Sequence, residues 1–423
     1  MKVWLVTVGE PLPIDGKNER LYRTGILSEM LVRYGYEVIW WTSTFDHIRK
    51  QQRFRCDTTV YCDNGLMIKL LHGCGYKRNI SVRRIIEHVM IARKFRHVAE
   101  TEVCPDIILC SLPTLELSVA VVQYGIKKRI PVIIDIRDLW PDILLEVIPY
   151  WLRLAMQCML IPMWMQARKA CCNASAITGN SPHFVGWGLR LAKRNATPFD
   201  RAFWHGYQVN MPKEKEIEAA HNFWMNFNVS AKNGEFLACF FGAIGVQSEF
   251  ETVIGAAQQL AKLGKCFKFV VCGNGDRLKE LRKLADGVSS VIFPGWVGRA
   301  EIWTLMRMSQ VGLAVYRSNI GYVTNLPNKP IEYLSAGLPV ISSLSGCLEK
   351  FLTEHGCGLT YQNEKPDALV SILEDLDNNR EKLILMSKNA KRVFEEMFNA
   401  DKVYNGMICY LDAVASTFSH DRI

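Results

Sequence analysis

None of the 14 cysteines stands in a Cys-x-x-Cys pair, and no Cys/His spacing suits zinc, so neither a zinc-bound module nor a dithiol centre is expected. The cysteines are expected instead as buried apolar side chains of a reducing compartment. A signal peptide is also missing from the expectations. The apolar run at 1–9 is too short for one and breaks at Glu10 and Pro11, which predicts a first strand. The most apolar stretch, 139–165, is interrupted by Asp142, Glu146, Arg153, Gln157, Pro149 and Pro162, which makes it a poor spanning helix.

What is present is the composition of a globular protein, with 49% hydrophobic and 22% charged residues over 423 positions, a length that points to two domains. The net charge of +9 is unevenly placed: residues 1–205 hold 28 Lys and Arg against 18 Asp and Glu, whereas the rest hold 23 against 24. Basic residues cluster at Arg49, Lys50, Arg53 and Arg55, at Lys77 and Arg78, at Arg83 and Arg84, and at Arg93, Lys94 and Arg96. Such clusters suit an anionic membrane surface or a phosphorylated acceptor, or simply a solvated face. The stretch 139–165, with Trp140, Trp151, Leu154, Met159, Met163 and Trp164, is either a buried or dimer-forming helix or an interfacial one at a membrane.

Short apolar runs alternate with amphipathic stretches along the first half. The spacing predicts strands at 3–9, 37–41, 67–71, 106–110, 131–135 and 175–178, with helices at 19–34, 81–99, 115–124 and 149–170. The rhythm restarts after a turn-rich region, with strands at 236–241, 268–272, 290–293 and 311–316, a helix at 249–263 and a helical pattern from 377 onward. This alternation predicts an α/β protein of two doubly wound, Rossmann-like domains facing across a cleft, the ligand lying beyond the carboxyl ends of the strands. The domains are placed at 1–205 and 206–395, with 396–423 a C-terminal helix that crosses back to the first.

The chain is organised around Leu326-Pro327-Asn328-Lys329-Pro330-Ile331-Glu332-Tyr333, followed by Gly337, Pro339 and Val340. It reads as strand, loop, short helix, Gly-x-Pro and strand. That order puts Lys329 and Glu332 in the first turn of a helix, where N–H groups and the helix dipole favour an anion. A lysine for phosphate oxygens and a carboxylate for two vicinal hydroxyls together suit a ribose-phosphate, hence a nucleotide.

Residues 327–340 resemble the Pro-Ser/Asn-Lys-x-x-Glu-Tyr-x-x-x-Gly-x-Pro-Val signature of GT-B glycosyltransferases, in particular glycosyltransferase family 4. Gly242, Gly273-Asn274-Gly275 and Pro294-Gly295 fall in the order that family shows, and Asp135-Ile136-Arg137-Asp138-Leu139-Trp140-Pro141-Asp142 resembles a segment of members that build bacterial cell-surface polysaccharides. The resemblance implies that Lys329, beside Asn328, contacts the nucleotide diphosphate and Glu332 the ribose. It implies that Gly242, with Ala243 and Ile244, lets backbone N–H groups approach the diphosphate, that Gly16 lies on a loop covering it from the other side, and that Gly273 to Arg277 flank the base. Arg277, Arg299 and Lys329 are left to carry the phosphate charge, because Ile244 and Gln247 stand where the family has a basic pair. The family's second acid falls at Thr324, and its His-Asp pair appears as Arg137-Asp138. Asp138, Arg137 and Lys329 are the expected catalytic residues; the histidines at 47, 183 and 205 are expected to be structural.

The function so implied is transfer of a hexosyl or N-acetylhexosaminyl group from a nucleotide diphosphate donor, a UDP-sugar, to a glycan or lipid-linked acceptor with retention of configuration. No Asp-x-Asp occurs in a loop setting, so no metal and no other cofactor is expected. No nucleic-acid partner is expected. The expected setting is cytoplasmic, with the basic first domain and 139–165 as the surfaces that would make any peripheral contact with the inner face of the cytoplasmic membrane. A nucleotide-sugar epimerase and a non-catalytic nucleotide-sugar-binding protein on the same scaffold remain as alternatives.

Overall fold

Several strands of this chain are apolar at every position, and such strands are stable only when both faces of their sheet are covered. A computed structural model shows this covering; it describes residues 1–16, 19–145, 148–230, 234–317 and 323–420. The chain divides into two units, one made of residues 1–206 and 400–423 and the other of residues 207–399.

The first unit runs β1 (Lys2–Val6), α1 (Arg23–Arg33), β2 (Glu37–Ser43), a small hairpin of β3 (Phe45–Asp46) and β4 (Gln51–Gln52), β5 (Thr58–Tyr61), β6 (Met67–Leu71), α2 (Val82–Val98), β7 (Ile107–Leu112), α3 (Leu115–Lys128), β8 (Val132–Ile136), α4 (Arg153–Cys172), β9 (Ala176–Gly179), α5 (Pro182–Ala192) and β10 (Arg201–Ala202). Its eight strands lie in the order β10-β9-β8-β7-β1-β2-β6-β5. All neighbours are parallel except the edge pair β5 and β6. The order reverses between β1 and β7, which makes the loops after those strands the natural place for a ligand in this unit.

The second unit runs α6 (Glu214–Met225), β11 (Phe236–Phe241), α7 (Glu251–Lys262), β12 (Phe267–Cys272), α8 (Leu278–Leu284), β13 (Val291–Gly295), α9 (Arg299–Met308), β14 (Val311–Ala314), α10 (Asn328–Ser335), β15 (Val340–Ser342), α11 (Cys347–His355), β16 (Gly358–Thr360), α12 (Pro366–Asn378) and α13 (Arg380–Val393). Its six strands are ordered β13-β12-β11-β14-β15-β16 and all run parallel, with the reversal between β11 and β14.

The last helix, α14 (Ala400–His420), is part of the first unit. Its Tyr404, Met407, Leu411 and Val414 are buried with Val3, Leu5, Leu27 and Leu31 against the face of the sheet that α1 covers. The opposite face is filled from α2, α3, α4 and α5, with Trp4, Trp41, Phe95 and Tyr124 forming an aromatic knot in which Trp4 and Tyr124 stack at 5.4 Å. Helix α1 begins at Arg23 rather than at 19, and the edge strands β5 and β16 are additions to the elements legible from periodicity, both too short to carry a clear alternation.

Candidate functional site

In the second unit the organising stretch folds as β14, loop, α10 and β15, and α10 is fixed to the sheet by one aromatic residue. Tyr333 is wholly buried, its hydroxyl donates to the Leu313 carbonyl at 3.0 Å, and a side chain on Gly312 would stand 2.4 Å from its ring. This anchoring sets the direction of the first turn of α10. Asn328 there is exposed, and Glu332 is buried.

Lys329 lies along the β11 turn rather than out in solvent. A Cβ on Gly242 would come within 2.4 Å of Lys329 Cε and 2.8 Å of Nζ, so glycine is what allows the amine to lie against the backbone, at a φ of +139° that also favours glycine. The Nζ stands 5.0 Å from the centre of the Phe240 ring and 5.7 Å from that of Tyr316. Neither ring was singled out by sequence reasoning; the signal available was their place at the ends of the strands flanking the sheet reversal. Among the described residues no carboxylate lies within ion-pair distance of Lys329. Burial lowers its pKa, and Glu332 offsets this only in part. A desolvated ammonium flanked by aromatic faces, lacking an anionic neighbour in contact, is an open place for a negative group.

The glycine turns beside it are packed backbone to backbone. Gly273 is buried at φ +138°, and a Cβ there would sit 1.9 Å from the Gly242 carbonyl oxygen. The Gly242 N–H donates to the Cys272 carbonyl at 3.0 Å and the Ile244 N–H to the Asn274 carbonyl at 2.9 Å. Of the three N–H groups expected to face a diphosphate, those two are therefore taken within the protein, a correction that only the packing of the two turns could supply. The exposed Ala243 is the member of the three whose N–H has no acceptor among the described residues.

Arg277 is placed at the start of α8 but is bound by its own protein. Its guanidinium donates to Glu280 at 2.6 and 3.0 Å, to Glu251 at 2.7 Å and to the Ser248 carbonyl at 3.0 Å, and these bonds raise its pKa. Its charge is balanced before any ligand arrives. Arg299 is 3.5 Å from Glu216, both of them exposed side chains. Arg317, beyond β14, donates to Glu251 at 2.8 Å, and its backbone N–H donates to the Gln247 carbonyl at 2.8 Å, a placement that periodicity did not reveal.

In the first unit Arg137 and Asp138 are sequence neighbours that go to different clusters. Arg137 donates to Glu10, to Asp135 at 2.8 Å and to the Thr24 hydroxyl at 3.1 Å. Asp135, wholly buried, is also held by Arg23 at 3.0 Å and by Thr178 at 2.8 Å, and Glu10 accepts from Thr24 N–H at 3.0 Å. Two guanidiniums and two carboxylates thus form one buried network at the carboxyl ends of β1 and β8. The half-buried His205 beside it has its pKa pushed down to about 3 by burial and by Arg23 and Arg137, so it is neutral at physiological pH. Asp138 instead accepts from the Leu139 N–H at 3.0 Å and lies in the field of Arg84, and burial raises its pKa. Gly16 is exposed, with open space where a Cβ would go; residues 17 and 18 of its loop lie outside the described residues. Thr324, where the family's second acid would stand, is half-buried. Among the described residues no group of three or more His, Cys, Asp or Glu is placed to hold a metal ion.

Residues 222–393 match the family model described as glycosyl transferases group 1. Among curated proteins, none matches the chain in sequence. Solved structures resemble it over nearly its whole length. The sucrose-phosphate synthase of Thermosynechococcus elongatus superposes with a TM-score of 0.68 at 14% identity, covering 98% of this chain and 99% of that one. The HepE protein of Anabaena in complex with UDP gives 0.66 at 14% identity over 98% and 100%. The catalytic domain of starch synthase IV from Arabidopsis thaliana, bound to ADP and acarbose, gives 0.62 at 13% identity over 98% and 99%. The fold is GT-B. With the group 1 model matched across most of its second unit, the chain is a glycosyltransferase.

Proposed function

We propose that this glycosyltransferase takes its sugar from a nucleoside diphosphate donor, a UDP-sugar, and passes it to a glycan or lipid-linked acceptor with retention of configuration, as a family 4 enzyme of cell-surface polysaccharide synthesis. The observation that carries the donor assignment is Lys329, a largely desolvated ammonium with no carboxylate in ion-pair contact among the described residues, packed on Gly242 beneath the rings of Phe240 and Tyr316. A diphosphate supplies the missing charge, and Glu332, three residues on along the same helix, takes the ribose hydroxyls. As the bond to the sugar breaks, negative charge grows on the leaving phosphate oxygen, and a preorganised cation stabilises it without reorganising. On this assignment the lysine and the Ala243 N–H do the work that a divalent ion does elsewhere, so no metal is needed. The solved structures named above with UDP and with ADP support a nucleotide ligand, and uridine is our assignment.

Melting the protein in the presence of UDP, GDP, ADP and their sugars tests it, because a ligand that binds only the folded state raises apparent stability. The largest shift is expected with UDP compounds; a GDP or ADP preference would overturn the uridine assignment.

No helix among the described residues is long and apolar enough to cross a membrane. Helix α4 nonetheless exposes Leu154 (76%), Met159 (72%) and Met165 (66%), with Trp151 (78%) just before it. Together with the positive charge of residues 1–205, this supports peripheral contact with an anionic bilayer, where apolar chains insert and cations meet headgroups. Sedimentation with anionic vesicles is expected for the wild type and is expected to be lost in the double variant Trp151→Glu, Met159→Glu.

A further inference from the structure

The basic clusters of the first unit are not equivalent once their partners are known. Arg49 reaches Glu19 at 2.5 Å and Asp46 at 3.1 Å, Arg53 reaches Asp15 at 2.5 Å, and Lys94 reaches Asp57 at 2.7 Å. Arg83 donates to the Gly75 and Cys74 carbonyls, both at 2.9 Å. Lys50 and Arg84 are different. Among the described residues neither has a carboxylate within ion-pair distance, yet they converge on the same two side residues. Lys50 Nζ donates to the Asn79 side chain and stands 4.9 Å from the centre of the Tyr76 ring. The Arg84 guanidinium donates to the Asn79 carbonyl at 2.9 Å, lies 5.5 Å from the Tyr76 ring and stacks 4.4 Å from the Trp140 ring. Its Nε is buried and has no hydrogen-bond partner among the described residues.

Placing two half-buried cations together with no anion in contact is unfavourable. Burial lowers the pKa of both, and the charge of Arg84 lowers that of Lys50 further. His47 adds no charge: its ring nitrogen is bonded to the Tyr76 hydroxyl at 2.6 Å, and burial with the neighbouring cations pushes its pKa down to about 4. The acids acting on these groups from beyond ion-pair distance are Asp46, on Lys50 and His47, and Asp138, one residue beyond Arg137, on Arg84. Gly9, after β1, packs against His47, so the cluster stands at the carboxyl end of the sheet beside the β1 loop.

We propose that this cluster is an anion subsite for the acceptor, in which Lys50 and Arg84, backed by the buried rings of Tyr76 and Trp140, hold a phosphate ester. A phosphate ester carries up to two negative charges and three acceptor oxygens, which matches a point-charge ammonium beside a planar fork whose Nε is unused. The rings of Tyr76 and Trp140 are themselves buried, so they hold the two cations in place from behind and leave the phosphate to the cations. Calling the ligand an acceptor rests on the glycosyltransferase assignment above, but the subsite is tested independently of it. A soluble phosphorylated glycan and a prenyl phosphate lipid share this chemistry.

The test uses the full chain with UDP saturating, so that nucleotide-site phosphate binding is blocked. It is titrated calorimetrically with phenyl phosphate and, separately, with a long-chain prenyl phosphate in neutral detergent micelles. The wild type is expected to bind at least one of them, and Arg84→Gln and Lys50→Gln each to weaken that binding at least tenfold with UDP affinity unchanged. Much tighter binding of the prenyl compound assigns a lipid acceptor, and comparable binding of the two a soluble ester. If Arg84→Gln lowers the melting temperature, Lys50→Gln, which changes a turn residue, carries the test alone. Absence of binding by both compounds, or binding that neither variant weakens, overturns the subsite. Failure of the nucleotide assignment reads out separately, as UDP binding that Lys329→Ala leaves intact.

Discussion

The two units place a cation at the same kind of position, the carboxyl edge of a parallel sheet near the reversal of strand order, and treat it in opposite ways. Arg137 in the first unit is surrounded by Glu10, Asp135 and Thr24, while Lys329 in the second has rings and a glycine turn around it and no carboxylate in contact among the described residues. A buried charge that the protein has already neutralised holds structure together; one that it leaves unneutralised is kept for something that binds. The same distinction separates Arg277, tied to Glu251 and Glu280, from Lys50 and Arg84.

The contrast is broken most directly at Arg137. Arg137→Ala leaves Glu10 and Asp135 short of a partner in a buried setting and is expected to cost roughly 3–5 kcal/mol of unfolding free energy in urea titration. A loss as small as that of a surface substitution would show that the network does not hold the first unit together. Lys329→Ala is expected to do the reverse: the apo protein keeps its stability or gains some, while UDP affinity by calorimetry falls roughly 10- to 100-fold, the worth of a charge-assisted hydrogen bond. Destabilisation comparable to that of Arg137→Ala would erase the difference between the units. Because the native lysine has a lowered pKa, its charge is lost as pH rises through that value, below the ordinary 10.5. UDP affinity should therefore decline with rising pH at the alkaline end.

A smaller effect sharpens the account of the first unit. His205 takes up a proton near pH 6.5 in the unfolded chain but resists it to about 3 in the native state. Its contribution is thus neutral above pH 6.5, and native stability is expected to fall progressively as pH drops from there toward 3. His205→Gln should flatten that slope in a pH series of urea titrations; an unchanged slope would mean the histidine is not held neutral by burial beside Arg23 and Arg137.

The sequence made the parallel strands legible because they are short apolar runs, and it made the donor helix legible because Lys329, Glu332 and Gly337 act at local spacings. It was less informative about N–H groups. That Gly242 and Ile244 spend theirs on Cys272 and Asn274 follows from two turns packing together, and each turn alone reads as glycine punctuation. Arg277 looked like a free phosphate cation only in part for the same reason: Glu251 is 26 positions away on another helix, but its other partner, Glu280, is three residues on and within local reach.

By itself, then, with GT-B implied by the resemblance of residues 327–340, the sequence determined the alternation of strands and helices, the two doubly wound domains and the helix that carries Lys329 and Glu332. These rest on side-chain periods of two and 3.6 and on glycine and proline at turns, all of which operate within a few residues. Only the tertiary structure decided which of the many basic residues are neutralised. Arg137 meets Glu10 across 127 positions, whereas among the described residues Lys50 and Arg84 make no ion pair and are held by Asn79, His47 and aromatic rings. Coulomb energy depends on distance in space and on what excludes water, and neither is written in local spacing.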